Sequence, residues 1–173
     1  KLLQVQAHAA QASRSFAAEV RAQTEARLGF RVAGKLLQRP AQLGQAVSAG
    51  QLLAQLDAQD YALGAQAAQA QVQAAQTQRD LAQADWQRFS ALQAQGFISP
   101  VELDRRRAQL EAAQAQLQQA KAQATVQGNQ NHYTQLRSDA AGVVTGVHAE
   151  PGQVVAAGAP VLTVALDGPR DAV

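Results

Sequence analysis

The sequence predicts an α+β protein in which a small β-sandwich, split into two half-motifs, is interrupted by a long antiparallel α-helical coiled-coil hairpin. Three observations predict it: a glycine-anchored motif that occurs twice, an alanine- and glutamine-rich stretch between the copies, and a turn signal in the middle of that stretch. Of the 173 residues, 47% are hydrophobic but only 4% aromatic. Much of the apolar count is alanine, so any core is thin and an elongated shape is expected.

The repeated motif is GQAVSAG at residues 44–50 and GQVVAAG at 152–158. Gly34 precedes Gly44 as Gly142 precedes Gly152, Gly50 and Gly158 follow, and Leu53 and Leu56 have counterparts in Val161 and Val164. This spacing reads as short strands joined by tight turns, with Gly44, Gly50, Gly152 and Gly158 supplying positive φ. Val47 in the first copy, and Val154 or Val155 in the second, would point into a small core. Phe30 and Val32, alternating with Arg31 and Ala33, read as a strand of the first copy; Val143, Val144 and Val147 supply that of the second. Neither copy can bury its own apolar face, so the two are expected to pack as one quasi-symmetric sandwich.

Residues 58–127 contain 19 Ala and 18 Gln, both good helix formers. Neither Pro nor Gly interrupts residues 65–95 or 101–127. In the second run Leu103, Leu110, Leu117 and Ala124 recur every seven residues, with Ala113 and Ala120 three after a leucine, which is a heptad seam. The first run offers a softer seam through Leu63, Ala67, Ala70, Ala74, Thr77, Leu81 and Ala84. Between them lies GFISPVE, residues 96–102. Gly96 fits the left-handed position that ends a helix. Ser99 as N-cap, Pro100 at the first helical position and Glu102 closing a capping box then start the next one. A first helix of roughly 34 residues would be about 50 Å long and the second about 40 Å.

Several function classes find no support. The net charge is +2 without a block of like charges, so no nucleic-acid partner is expected. The absence of cysteine excludes disulfides, Cys-ligated zinc and thiol catalysis. With Met also absent, soft-metal capture is disfavoured, and no metal or cofactor is expected. No apolar run approaches the roughly 18 residues of a membrane span. There is no nucleophile elbow, P-loop or zincin motif, and His8, His132 and His148 are far apart; no enzyme activity is expected. The chain starts at Lys1 with neither an initiator Met nor a signal peptide, which reads as a mature or truncated product.

In combination these residues resemble the lipoyl domain and α-hairpin of periplasmic adaptor proteins, or membrane fusion proteins, of RND-type tripartite efflux pumps in the HlyD-like superfamily. The stretches that carry the resemblance are LGFRVAGKLL at 28–37, GQLLAQLDAQDY at 50–61, HYTQLRSDAAGVV at 132–144 and EPGQVVAAGAPVLTV at 150–164. The resemblance implies a lipoyl-like sandwich in two halves, 28–57 and 131–166, with the hairpin at 58–130 and its tip at 96–99. Residues 1–27 would belong to barrel or membrane-proximal parts that are otherwise largely absent, and 167–173 would begin the β-barrel. The alternation Phe16, Ala18, Val20, Ala22 reads as a strand of those parts, leaving 1–27 short of partners. Ser138, Asp139, Ala140 and Ala141 stand where the family usually has Ala-Pro before the second-half glycine, and a local loop change is expected there.

The resemblance also implies a docking site. Such adaptors carry an Arg, a Leu four residues later and a Ser seven after that, which engage a TolC-type outer-membrane channel. The spacing falls on Arg88, Leu92 and Ser99. Each also has a plain structural reading: Leu92 as the last core leucine of its helix, Ser99 as a cap, Arg88 as an exposed helical arginine. The implied partners are an inner-membrane RND transporter, the channel, and further copies of the chain in a ring. Membrane association would come only through an N-terminal anchor or through partners, in the periplasm of a Gram-negative bacterium at the inner membrane. Adaptors of ABC or major-facilitator exporters share the same plan. Lipoyl and biotinyl carriers share the half-motif, but Asp57, Ala58, Gln59 and Asp60 offer no lysine for attachment.

Overall fold

The two glycine motifs build one β unit between them, because each bonds to the opposite half of the chain. In the computed structural model, which describes residues 20–172, Gly44 donates its N–H to the Val144 carbonyl at 2.8 Å, and Gly152 donates to Leu36 at 2.7 Å. Gly50 donates to Ser138 at 2.7 Å and Gly158 to Phe30 at 2.8 Å. All four glycines, and Gly96, have positive φ between 79° and 96°. These four bonds form two pairs, each related by an offset of 108 positions: Gly44 to Val144 with Gly152 to Leu36, and Gly50 to Ser138 with Gly158 to Phe30.

The strands obey the same offset. They are β1 (Val20–Ala22), β2 (Glu25–Gly29), β3 (Gly34–Gln38), β4 (Ala46–Val47), β5 (Leu52–Leu56), β6 (Gln135–Arg137), β7 (Gly142–Val147), β8 (Val154–Val155), β9 (Pro160–Leu166) and β10 (Arg170–Ala172). Two four-stranded antiparallel sheets form, in orders β2-β9-β7-β4 and β6-β5-β3-β8. Leu36 pairs with Leu56 in one as Val144 pairs with Val164 in the other, and a register shift follows both Leu36 and Val144. The inner pair of each sheet comes from one half and both edges from the other. Neither half can therefore complete a sheet alone.

Facing side chains of both sheets make the core, including Leu36, Leu53, Leu56, Val161 and Leu162, joined by Phe30 from the turn between β2 and β3, each at most 1% exposed. Val47 and Val155 point inward at 4% and 8% exposed, whereas Val154 is 79% exposed. Of the two valines that the repeat left open, Val155 is the core residue.

Three expectations need correction. Phe30 to Ala33 is no strand but the turn between β2 and β3. Its Ala33 carbonyl accepts a hydrogen bond from the Tyr61 hydroxyl at 2.8 Å, and the Arg31 guanidinium lies 4.9 Å from the Tyr133 ring centre. The turn thus holds the foot of the hairpin, which a straight strand could not do. Residues 20–27 also have partners: β1 pairs with β10, and β2, already begun at Glu25, is an edge strand on β9. Phe16 and Ala18 lie outside the described residues.

The third correction concerns the hairpin, α1 (Gln59–Ala94) and α2 (Pro100–His132), of 36 and 33 residues. On α2 the seam runs as the leucines predict: Leu110, Leu117 and Ala120 are buried, and Leu103, Ala113 and Ala124 half-buried. On α1 the expected seam faces outward, with Leu63 56% and Leu81 58% exposed. The residues that meet α2 lie two positions earlier in the same rhythm, and include Ala68, Val72, Ala75 and Ala82. Two residues turn a helix by about 200°. Small residues on α1 admit the leucines of α2, so the alanines and not the leucines of α1 form the contact.

Candidate functional site

The far end of the hairpin is held by two caps placed back to back. At the end of α1, Phe97 donates its N–H to the Leu92 carbonyl at 3.0 Å and Gly96 donates to Gln93 at 2.9 Å. This is the Schellman pattern, and its left-handed residue is Gly96, at φ 79°. Three residues on, Ser99 starts α2 in extended conformation, its Oγ accepting the Glu102 N–H at 3.4 Å. Pro100 occupies the first turn, where no N–H is needed. The loop between the helices is only Gln95 to Ser99, so few torsions are free and the tip is preorganised.

The expected capping box forms only in part. The Glu102 carboxylate lies 2.8 Å from Arg106 and 3.7 Å from Arg105, because a guanidinium is a stronger partner than a neutral N–H. Arg106 in turn lies over the Phe89 ring, 4.4 Å from its centre. One of the three consecutive arginines is thereby drawn inward, at 26% side-chain exposure, while Arg105 and Arg107 stay about 70% exposed.

Arg88 projects from α1 with its side chain 68% exposed, 3.7 Å from Asp85. Leu92 is half-buried on the last turn of α1, and Ser99 is exposed on the opposite side of the loop. Arg88 and Leu92 lie one turn apart on α1, and Ser99 lies across the five-residue loop at the start of α2. Two residues that sequence reasoning passed over stand with them: Phe97 is 72% and Val101 77% exposed. Val101 was legible, since it lies two positions before the seam residue Leu103 and so points away from α1. Phe97 was not, because a residue just past a helix-ending glycine usually folds back on the last turn. An exposed aromatic, an exposed valine and a guanidinium on a rigid loop can bind a protein surface. They offer no general base and no nucleophile. Among the described residues no group of His, Cys, Asp or Glu gathers as metal ligands, and no helix is long and apolar enough to cross a membrane.

Comparison with known proteins gives the same picture of the fold. The family described as "RND MFP, barrel-sandwich hybrid domain" matches residues 18–166. No curated protein sequence matches the chain. Among solved structures, a MacA-MexA chimera containing the Pseudomonas aeruginosa MexA α-hairpin domain is 27% identical, with a TM-score of 0.67 over 86% of this chain and 50% of its own. A putative efflux transporter from Bacteroides eggerthii is 24% identical at TM-score 0.57, over 91% and 48%. ZneB from Cupriavidus metallidurans is 22% identical at TM-score 0.63, over 87% and 64%. The chain thus spans about half the length of the first two. Because the repeated half-motifs and the hairpin between them all fall within the matched residues, this chain belongs to the family of the RND membrane fusion protein barrel-sandwich hybrid domain.

Proposed function

We propose that the chain is the lipoyl-and-hairpin part of an adaptor in a tripartite RND export system, linking an inner-membrane pump to a TolC-type outer-membrane channel. The observation that carries this reading is the doubly capped tip at the end of a hairpin about 50 Å long, presenting Arg88, Phe97 and Val101 to solvent. The mechanism is structural. Copies would ring together, their hairpins would form the wall of a conduit across the periplasm, and Arg88, Leu92 and Ser99 would meet the channel. No bond is made or broken by this chain, and the pump supplies the energy. The matching family favours an RND pump over an ABC or major-facilitator partner.

The test is co-purification of the full-length adaptor with the transporter encoded beside it and with an outer-membrane channel. Retention of an RND transporter and the channel is expected, with the channel alone lost on Arg88→Asp. Retention of an ABC or major-facilitator transporter instead would transfer the adaptor to that class.

A further inference from the structure

The two helices of the hairpin share one heptad line. Ala75, Ala82 and Phe89 on α1, Gly96 in the loop, and Leu103 and Leu110 on α2 follow one another at intervals of seven residues. Ala75 and Leu110 are buried in the seam between the helices, and Ala82, Phe89 and Leu103 are half-buried. A line of this spacing is a single seam on a single helix, so the loop from Gln95 to Ser99 interrupts the helix without putting its two parts out of phase. Run straight, residues 59–132 would be one helix about 110 Å long with an unbroken seam.

Two residues oppose the straight form. Gly96 takes a φ of 79° in the loop, which lies outside the right-handed helix and suits glycine alone. Pro100 opens α2, and Ser99 before it is extended at ψ 154°, as the residue before a proline prefers. Inside a continuous helix the proline ring would collide with the carbonyl of the residue four before it and leave that carbonyl without its N–H. That residue is Gly96, so both act on the same turn.

The rest of the fold does not oppose it. The inner pair of each sheet comes from one half of the chain and both edges from the other, and Val72 and Ala75 pack with Leu117 and Ala120 across the hairpin. If two copies opened at the tip, each first half would meet the other copy's second half through these same pairings, and each α1 would lie on the other copy's α2 through the same seam. Such an exchange alters only the tip, and the tip therefore decides between one chain and two.

We propose that Gly96 and Pro100 are a lock against this exchange, holding in single-chain form a sequence that is otherwise suited to an intertwined dimer. In the open dimer residues 95–99 become the middle of a helix, so the lock preserves the tip itself. The inference goes beyond the export reading and does not rest on it.

Lys35 and Val154 face each other on β3 and β8, one from each half, and both are exposed. The chain has no cysteine, so Lys35→Cys combined with Val154→Cys reports which chain each half belongs to. After refolding from denaturant and mild oxidation, the parent tip is expected to give a bridge within one chain and a monomer band on a non-reducing denaturing gel. Side-by-side association of closed chains leaves that band unchanged. With Gly96→Ala and Pro100→Ala added, the main band is expected to shift to the mass of a reducible dimer. Pro100→Ala alone keeps the cap at Gly96 and is the milder variant; it is expected to fold and to show the dimer band at a lower share. Absence of a dimer band from Pro100→Ala overturns the proposal whatever the double variant does, and so does an equal dimer band from the parent tip. No pump or channel enters this readout, so its failure leaves the export reading untouched, and failed co-purification leaves the lock untouched.

Discussion

Arg39 and Glu150, 111 residues apart in sequence, join the two halves of the sandwich by a forked ion pair, Nη2 lying 3.1 and 2.9 Å from the two carboxylate oxygens. The partners are unequal. Glu150 is 61% exposed, while the Arg39 side chain is 13% exposed and also donates to the Ala41 carbonyl. Glu150→Ala is expected to cost under about 1 kcal/mol, as exposed pairs do. Arg39→Ala is expected to cost more, about 1–3 kcal/mol, because it also strands the acceptor that the guanidinium satisfies. Chemical denaturation of both variants checks the order, and equal losses would mean that the Ala41 bond contributes nothing.

The interleaved sheets predict that the hairpin is removable and a half is not. Leu56 donates its N–H to the Thr134 carbonyl at 2.8 Å, and Gln55 pairs with Gln135, so the two feet of the hairpin are neighbours. Replacing residues 60–130 by a short Gly/Asn turn is expected to leave a domain with one cooperative thermal transition. Residues 20–57 alone are expected to show none, since both edge strands of their sheet come from the other half. Cooperative unfolding of that fragment would contradict the shared core.

The α1 helix separates what could be read from the sequence from what could not. The repeat was legible because turns demand glycine at fixed spacing, and α2 was legible because its seam is written in leucine. On α1 two apolar stripes share one rhythm, and the one holding Leu63 and Leu81 is the one in water. Hydrophobicity alone selects the wrong stripe, since the deciding factor is how closely the backbones approach, and that depends on the partner's side chains. The tip shows the same limit. Caps are local and were readable in Gly96 and Ser99, whereas the seat of Arg106 over Phe89 joins two helices and has no signal in either.

That assignment of faces is directly measurable. Leu117 is 6% exposed in the seam, so Leu117→Ala is expected to cost about 2–5 kcal/mol. Leu81→Ala is expected to stay within about 0.5 kcal/mol of the parent. Thermal melts followed at the helical circular dichroism band give both numbers, and a larger loss at Leu81 would restore the original seam.

Arg88 is expected to act between molecules and not in the fold. Its side chain is 68% exposed and its nearest acid, Asp85, lies at 3.7 Å on the same helix, a pair of small value in water. Arg88→Asp is expected to leave stability within about 0.5 kcal/mol and to abolish complementation of an efflux-deficient strain. Normal efflux at normal expression would remove Arg88 from the docking site.

Ser99 can be a cap, a contact, or both, and one substitution separates these roles. Its Oγ accepts the Glu102 N–H at 3.4 Å, a bond that an aspartate carboxylate can also accept. The added charge suits the positive end of the α2 dipole, so Ser99→Asp is expected to keep or slightly raise hairpin stability. Ser99→Ala is expected to lose about 1 kcal/mol of capping. A role confined to capping predicts that Asp sustains export and that Ala weakens it only as far as folding is weakened. A contact with the channel predicts the reverse for Asp: the carboxylate would be buried at the interface without a partner, and its desolvation would oppose docking. The docking role of Ser99 therefore predicts a stable Ser99→Asp protein that cannot support export, measured as drug resistance at matched expression. Parental resistance in that variant would leave Ser99 as the cap of a helix and nothing more.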